Sequence, residues 1–122
     1  MLEKLTVRVV RFEEVLAPHF HPGADPDQQR QGALSALAGL KLLMPDYDLA
    51  VMDEFLHLVS CGLVSEEEAL SFIREKPPGS ELVLTGRQSP ESLIRAADYV
   101  TYMKEVKHPF ASGTRARKGI EF

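Results

Sequence analysis

Apolar and polar residues follow one another along this chain with two different periods, and these periods predict its strands and helices. The clearest signal is the run Leu49–Met52, four apolar residues without a polar break, which ends on the adjacent carboxylates Asp53 and Glu54. An unbroken run of this kind is typical of a parallel strand that is covered on both faces. The pattern therefore predicts a buried central strand with an acidic carboxyl end.

Three further stretches have strand-like patterns. Residues 5–12 are rich in β-branched side chains and partly alternate, which predicts a half-exposed strand. Residues 81–85 are predicted to form the next strand, which leads directly into Gly86 and Arg87, and residues 98–103 have the composition of a last strand. Because helical stretches separate these runs, the strands are expected to lie mainly parallel in one sheet.

Capping residues mark where the helices begin. Asp25 can cap a helix whose first turn contains Pro26, and Ser65 and Glu68 have the spacing of a capping box. Another helix is predicted to begin at residues 89–91. The apolar positions expected to face inward on these helices are Ala33, Leu34, Leu37, Leu40, Met44, Leu70, Phe72, Ile73, Leu93, Ile94 and Ala97.

Two glycines fall inside the first predicted helix, where each costs about 1 kcal/mol relative to alanine. Gly32 and Gly39 are seven residues apart and therefore lie on one face of that helix. Close packing of this face against the sheet would explain their presence.

The alternation of strands and helices is typical of an α/β fold, a three-layer domain with a mainly parallel sheet. With 122 residues, the chain is expected to form a single domain, residues 1–122. The net charge of −4 argues against a general nucleic-acid binder, and the one cysteine, Cys61, excludes a disulfide framework. No signal-peptide pattern opens the chain and no apolar run approaches the length of a membrane span, so a cytoplasmic location is expected.

The most informative polar residues fall where the predicted parallel strands end. Asp53 and Glu54 follow the central strand, and Thr85 and Arg87 follow the next one. Ligands bind at the carboxyl ends of the strands in open α/β sheets, and Mg²⁺ is usually held by one or two carboxylates plus substrate phosphates. A guanidinium suits phosphate oxygens, although a surface salt bridge is an equally open interpretation of Arg87. The pattern predicts a Walker-B-like metal and nucleotide edge; the alternative is a buried strand that ends at a charged, helix-capping pair.

Two other patterns bear on the chemistry. No Gly-x-x-x-x-Gly-Lys-Ser/Thr sequence occurs in the chain, so the acidic edge is present without the usual phosphate cradle. His19 and His21 are two residues apart, but no third metal ligand lies nearby, and loop histidines are the better interpretation.

Together these residues resemble the ATP:corrinoid adenosyltransferases of vitamin B12 synthesis and salvage, of the P-loop type. The resemblance is carried by residues 47–54, 82–87, 89–90, 93–94, 97–101, 106–110 and 119–122. Its most specific parts are Thr85-Gly86-Arg87 at a strand end and Lys107-His108-Pro109-Phe110 in the tail. Their order and spacing match the C-terminal portion of the family from Tyr47 onward, whereas residues 2–45 match more loosely.

The resemblance implies a truncated P-loop NTPase-like (RecA-like) domain. It implies transfer of the 5′-deoxyadenosyl group from ATP, the co-substrate, to a reduced Co(I) corrinoid, with Mg²⁺ assisting. Asp53 and Glu54 would then hold the metal, and Thr85, Gly86 and Arg87 would bind the nucleotide. Glu54 and Arg87 would be the catalytic residues.

The chain departs from the family in two places. The family's N-terminal P-loop, its helix and the following strand have no counterpart here, and a βαβ unit takes about 30 residues. The loop in which the family carries aromatic residues that meet the corrinoid is also altered, so Phe20 is a weaker corrinoid-binding candidate, and the chain has no Trp.

These departures leave three functional interpretations open. The chain is an adenosyltransferase whose activity is absent or needs a phosphate loop from another polypeptide, a non-catalytic corrinoid- or nucleotide-binding module, or a structural partner of a full-length relative. A sheet without its N-terminal neighbours leaves an exposed edge, and such edges pair with other chains. A homo-oligomer, most simply a two-fold dimer, is therefore expected.

Overall fold

The fold combines helices with a parallel pair of strands. A computed structural model describes residues 6–18 and 21–119. Its elements in chain order are α1 (Pro26–Leu43), β1 (Leu49–Met52), α2 (Phe55–Ser60), α3 (Glu66–Arg74), β2 (Glu81–Leu84) and α4 (Glu91–Ala96), with short 3-10 helices at Met44–Asp46 and Pro109–Ser112. No helix within these two ranges is long and apolar enough to cross a membrane.

The two strands confirm the α/β class and the parallel pairing. β1 and β2 run in the same direction with Val51 opposite Val83. The side chains that this pair turns toward the core are those of Ala50, Met52, Leu82 and Leu84. On the other face Leu49 and Val51 are 53% and 59% exposed, so the described residues cover β1 on one face only. The predicted cover of both faces is not seen among them and stays a prediction. Within the described residues, the core lies on one face of the sheet.

The first helix begins as its sequence predicts. The Asp25 carboxylate accepts a hydrogen bond from the Gln28 N–H at 3.0 Å, and Pro26 occupies the first turn, where its missing N–H costs nothing. The helix ends at Leu43, and Pro45 lies in the 3-10 turn that follows. The buried positions of this helix are Gln29, Gly32, Ala33, Ala36 and Leu37.

The two glycines of α1 pack against the N-terminal segment and not against the sheet. A Cβ at Gly32 would overlap the carbonyl oxygen of Glu14, and a Cβ at Gly39 would lie 3.2 Å from the Phe12 ring. The prediction of close helix packing is therefore confirmed, but its partner was wrongly assigned. The reason is that spacing identifies a helix face and does not identify the element that covers it.

The core joins α1 to the helices that follow β1. The Phe55 and Phe72 rings lie 6.4 Å apart between centroids, and Leu93 of α4 is buried with them. Ile94 and Ala97, also predicted to face inward, are exposed. The helix α4 is short, and only one of its side chains reaches the core.

Two predicted strands are not strands among the described residues. Residues 6–12 and 98–103 form no ladder with the β1–β2 pair. In the second segment Tyr99 is 93% exposed and Tyr102 is 84% exposed. β-branched and aromatic composition favours a strand only where a neighbouring strand offers its backbone groups, and neither segment has such a neighbour here.

Candidate functional site

The acidic pair lies at the turn between β1 and α2. Asp53 and Glu54 follow the last residue of β1, and both side chains are exposed. Glu54 has φ 56° and ψ 20°, the left-handed conformation, and precedes the first turn of α2. A residue with a Cβ pays about 1–2 kcal/mol for this conformation, so the turn is strained at the residue that carries the second carboxylate.

Thr85 joins this turn to the end of β2. Its hydroxyl donates a hydrogen bond to Asp53 Oδ1 at 2.8 Å and accepts one from the Glu54 N–H at 2.9 Å. Its carbonyl oxygen accepts from the Leu56 N–H at 3.1 Å, and its own N–H donates to the Met52 carbonyl at 3.2 Å. One threonine therefore connects both strand ends and the first turn of α2.

Gly86 allows the chain to pass close to α2. Its φ is 152°, and a Cβ at this position would lie 2.5 Å from the Leu56 Cβ. Real side chains do not approach so closely, so a residue larger than glycine would push the loop away from the helix. The next residue, Arg87, emerges at the same edge of the sheet and is exposed.

The charged groups of this edge are available to a ligand. The ion pairs of the described residues join Arg30 to Glu68, Lys41 to Glu75 and Arg95 to Glu91. Arg87 takes part in none of them, so the alternative interpretation of Arg87 as a salt-bridge residue finds no support in this part of the chain. Two carboxylates and one guanidinium at one edge suit a polyphosphate with its cation.

The donor set fits a cation that is completed by its substrate. The described residues contain no group of three or more His, Cys, Asp or Glu side chains able to hold a metal ion. Asp53 and Glu54 offer two carboxylates, and Mg²⁺ is usually bound by one or two carboxylates together with waters and phosphates. The chain's own residues therefore fit Mg²⁺ carried in by a nucleotide better than a resident metal.

The N-terminal candidates have different outcomes. Phe20 and His19 lie outside the described residues. His21 is exposed, belongs to no metal-binding group of the described residues, and its carbonyl oxygen accepts a hydrogen bond from Gln29 Nε2 at 3.1 Å.

Two histidines have positions that their sequence context does not indicate. His57 lies in the first turn of α2, next to the acidic turn, and its Nε2 is buried with no hydrogen-bond partner among the described residues. His108 Nδ1 accepts from the Phe110 N–H at 3.1 Å and caps the short helix Pro109–Ser112. Within the motif Lys107–Phe110, His108 therefore has a local structural role as a helix cap.

Comparison with known proteins adds independent information. A family model described as ATP:corrinoid adenosyltransferase BtuR/CobO/CobP matches residues 1–122, the full length of the chain. A corrinoid adenosyltransferase from Pseudomonas aeruginosa is 38% identical over 86 residues, which are 70% of this chain and 42% of the relative. One from a Sinorhizobium species is 40% identical over 75 residues, 61% of this chain and 35% of the relative.

The corrinoid adenosyltransferase CobA of Salmonella typhimurium is 31% identical over 78 residues, 64% of this chain and 40% of the relative. The chain thus spans less than half the length of these curated relatives. The family model nevertheless covers every residue, including the acidic turn and Thr85-Gly86-Arg87. The chain belongs to the ATP:corrinoid adenosyltransferase family.

Proposed function

We propose that this chain takes part in transferring the 5′-deoxyadenosyl group of ATP to the Co(I) centre of a reduced corrinoid. The observation that carries the proposal is the contact of Thr85 with both Asp53 and Glu54, which joins the two strand ends at one edge in a member of this family. In the reaction a Co–C bond forms at C5′ of ATP as the C5′–O bond breaks. The leaving triphosphate takes the bonding electron pair, so the site must bind and neutralise a polyphosphate.

Each residue at this edge has a role that follows from its charge or its size. Asp53 and Glu54 would hold Mg²⁺, which when bound offsets phosphate charge and orients the leaving group. Gly86 keeps the backbone close to α2, and Arg87 supplies a guanidinium for the phosphate oxygens. Glu54 and Arg87 act as the catalytic residues because their charges meet the group that becomes more negative as the bond breaks.

The phosphate cradle itself comes from outside these 122 residues. No P-loop sequence occurs in them, and two carboxylates with one guanidinium leave most of the triphosphate charge unpartnered. We propose that residues 1–122 correspond to the C-terminal portion of a three-layer, P-loop NTPase-like domain. The exposed face formed by Leu49, Val51 and Val83 supports this proposal, because a third layer would cover it.

We also propose that the chain forms a homo-oligomer, most simply a dimer, through the same apolar face. The side chains of Leu49, Val51 and Val83 are 53%, 59% and 43% exposed. A cleft of about 800 Å³ runs beside β1, between residues 6–15 and α1, and its lining is largely apolar. A second copy would cover this surface at little cost, because few polar groups need to be desolvated.

The cytoplasmic location stays a prediction.

A titration with Mg·ATP tests how much of the nucleotide site these residues form alone. We expect binding much weaker than micromolar, because the phosphate cradle is absent from them. Isothermal titration of the unchanged chain and of Asp53→Asn measures it. Micromolar affinity that disappears in Asp53→Asn would contradict the proposal that an additional phosphate loop is required.

Adenosyl transfer to chemically reduced corrinoid tests the catalytic assignment. Where transfer is measurable, Glu54→Gln and Arg87→Ala should each lower it more than about tenfold, which corresponds to about 1.4 kcal/mol of barrier. Arg95→Ala is the matched control, since Arg95 is exposed and pairs only weakly with Glu91 at 3.5 Å. His21→Ala should also leave the rate unchanged. Equal losses from Arg87→Ala and Arg95→Ala would overturn the role of Arg87.

The second candidate is a non-catalytic corrinoid- or nucleotide-binding module, and the missing P-loop sequence favours it. A third, a structural partner of a full-length relative, is favoured by the exposed sheet face. Mixing the chain with a full-length relative separates them. Corrinoid or ATP binding without any transfer in the mixture supports the module, and co-elution without ligand binding supports the structural partner.

A further inference from the structure

The Thr85 hydroxyl has one proton, and Asp53 accepts it. A hydroxyl group offers a single donor and two acceptor lone pairs. In the structure the donor is used at 2.8 Å to Asp53 Oδ1, and one lone pair accepts the Glu54 N–H at 2.9 Å. Phosphate oxygens are acceptors, so Thr85 could donate to a phosphate only by releasing Asp53.

We propose that Thr85 is a positioning residue that aims the Asp53 carboxylate and holds the left-handed backbone of Glu54, and that it does not itself bind the nucleotide. This inference rests on the proposed function, in which Asp53 and Glu54 hold the cation. It assigns to the threonine of the Thr85-Gly86-Arg87 sequence a role different from that of the arginine.

The backbone around Thr85 is held on two sides, which keeps its hydroxyl at a defined point. Its N–H donates to the Met52 carbonyl at 3.2 Å, and its carbonyl accepts from the Leu56 N–H at 3.1 Å. Threonine is β-branched, so its side chain has few rotamers available. The side chain is also half-buried, whereas Asp53 and Glu54 are exposed. The most constrained of the three groups therefore directs the other two.

The consequence concerns cation binding. Mg²⁺ demands nearly ideal octahedral geometry, so a carboxylate that rotates freely is a poorer ligand than one held by a hydrogen bond. Thr85 donates to Asp53 Oδ1, which leaves Oδ2 for a cation, together with the exposed Glu54 carboxylate. Removing the hydroxyl would free Asp53 and also leave the Glu54 N–H without its acceptor.

Thr85→Val and Thr85→Ser form the matched pair of variants. Valine keeps the shape and removes the hydroxyl, whereas serine keeps the hydroxyl. Mn²⁺ binding to the full chain without nucleotide, followed by electron paramagnetic resonance, is the first measurement. We expect Thr85→Val to weaken Mn²⁺ binding about tenfold and Thr85→Ser to restore it, as for other groups that orient metal ligands. Affinity in Thr85→Val equal to that of the unchanged chain would overturn the inference.

Amide hydrogen exchange is the second measurement, and it does not depend on a cation. The Glu54 N–H should exchange faster in Thr85→Val and at the original rate in Thr85→Ser, while the Leu56 N–H, bound to the Thr85 carbonyl, changes in neither. An unchanged Glu54 rate in Thr85→Val would also overturn the inference. Absence of Mn²⁺ binding in the unchanged chain would instead count against the proposed function, and the exchange rates would still decide the role of Thr85.

Metal-free ATP distinguishes positioning from phosphate binding. If Thr85 acts through Asp53, Thr85→Val changes the chemical-shift titration with ATP in the presence of a chelator little, whereas Arg87→Ala weakens it. A loss in Thr85→Val as large as that in Arg87→Ala would show that the threonine contacts the phosphates and would overturn the inference.

Discussion

Glu54 has an unfavourable backbone conformation, and its side chain does not offset that cost. Its left-handed conformation, φ 56°, is unfavourable for a residue with a Cβ, and its side chain makes no capping hydrogen bond with α2. A residue kept in such a conformation without a stabilising side-chain contact is typical of a functional site. The carboxylate, not the stability of the turn, therefore explains why glutamate occupies this position in our proposal.

Glu54→Gly should separate the cost of the left-handed backbone from the function of the carboxylate. Glycine adopts a positive φ without steric cost, so the variant should gain about 0.5–1 kcal/mol in the free energy of unfolding after its larger entropy in the unfolded chain is included. It should also lose cation binding and adenosyl transfer. Urea unfolding gives the first quantity, and Glu54→Gln, which keeps the strain, is the control. A destabilised Glu54→Gly would mean that the glutamate side chain supports the turn.

Gly86→Ala should have the opposite effect. The added Cβ would lie 2.5 Å from the Leu56 Cβ at a φ of 152°, so the loop must move away from α2. We expect a loss of about 1–3 kcal/mol in the free energy of unfolding. The matched control is Gly79→Ala, because a Cβ there meets nothing within 4 Å. Similar denaturation midpoints for both variants would contradict the close approach of Gly86 to α2.

At the scale of the elements, the Glu68 carboxylate joins α3 to α1. The Ser65 N–H donates to the Glu68 carboxylate at 2.8 Å, which closes the capping box of α3. Arg30 of α1 binds both oxygens of the same carboxylate, at 2.7 and 3.2 Å, and also donates to the Leu63 carbonyl. These bonds, first that of the Ser65 N–H and then those of Arg30, hold the pKa of Glu68 below its ordinary value of 4.5.

This lowered pKa predicts a pH dependence of stability. A carboxyl group with a lower pKa in the folded state stabilises the fold above its unfolded pKa, and this contribution is lost as the pH falls through the folded value. At pH 7 the unchanged chain should therefore be thermally more stable than Glu68→Gln. This difference should shrink as the pH falls below about 4.5. Glu67→Gln, exposed in the same helical turn, is the control and should show a smaller difference at every pH. A difference that stays constant down to pH 3 would contradict the assignment.

At the scale of the whole molecule, the most unusual feature is how much apolar surface is uncovered. The β1–β2 pair presents one apolar face, and the segment after α4 carries Tyr99, Tyr102, Met103, Val106 and Phe110, each at least 79% exposed. Exposed apolar side chains that are concentrated in one segment or on one face are typical of interaction sites on soluble proteins. The proposed self-association would use these exposed apolar side chains.

Self-association should depend on the sheet face. Val51→Lys places a charge among Leu49 and Val83, and it should shift the molecular mass measured by light scattering toward the monomer at micromolar concentration. Leu42→Lys is the matched control, since Leu42 is 81% exposed on α1 and lies outside that face. Equal masses for both variants, or a monomeric unchanged chain at all concentrations, would contradict association through β1.

Several features could be predicted because they depend on residues close together in the chain. The capping of α1 by Asp25, the capping box of Ser65 and Glu68 and the two strands all follow from local sequence, although β2 ends one residue earlier than predicted, at Leu84. The meeting of Asp53 with Thr85 was also predictable, because parallel strands bring their carboxyl ends to one edge. Family membership could be inferred for the same reason, since its motifs are short and contiguous.

Other features depend on which surfaces meet, and periodicity carries no information about that. An apolar run predicts a strand but not whether both faces are covered, and Val51 is exposed because the core lies on one side only. Gly32 and Gly39 predict close packing but not the N-terminal segment as its partner. The strain at Glu54 and the use of the single Thr85 proton by Asp53 arise from the contact between two strand ends 32 residues apart, which only the tertiary structure creates.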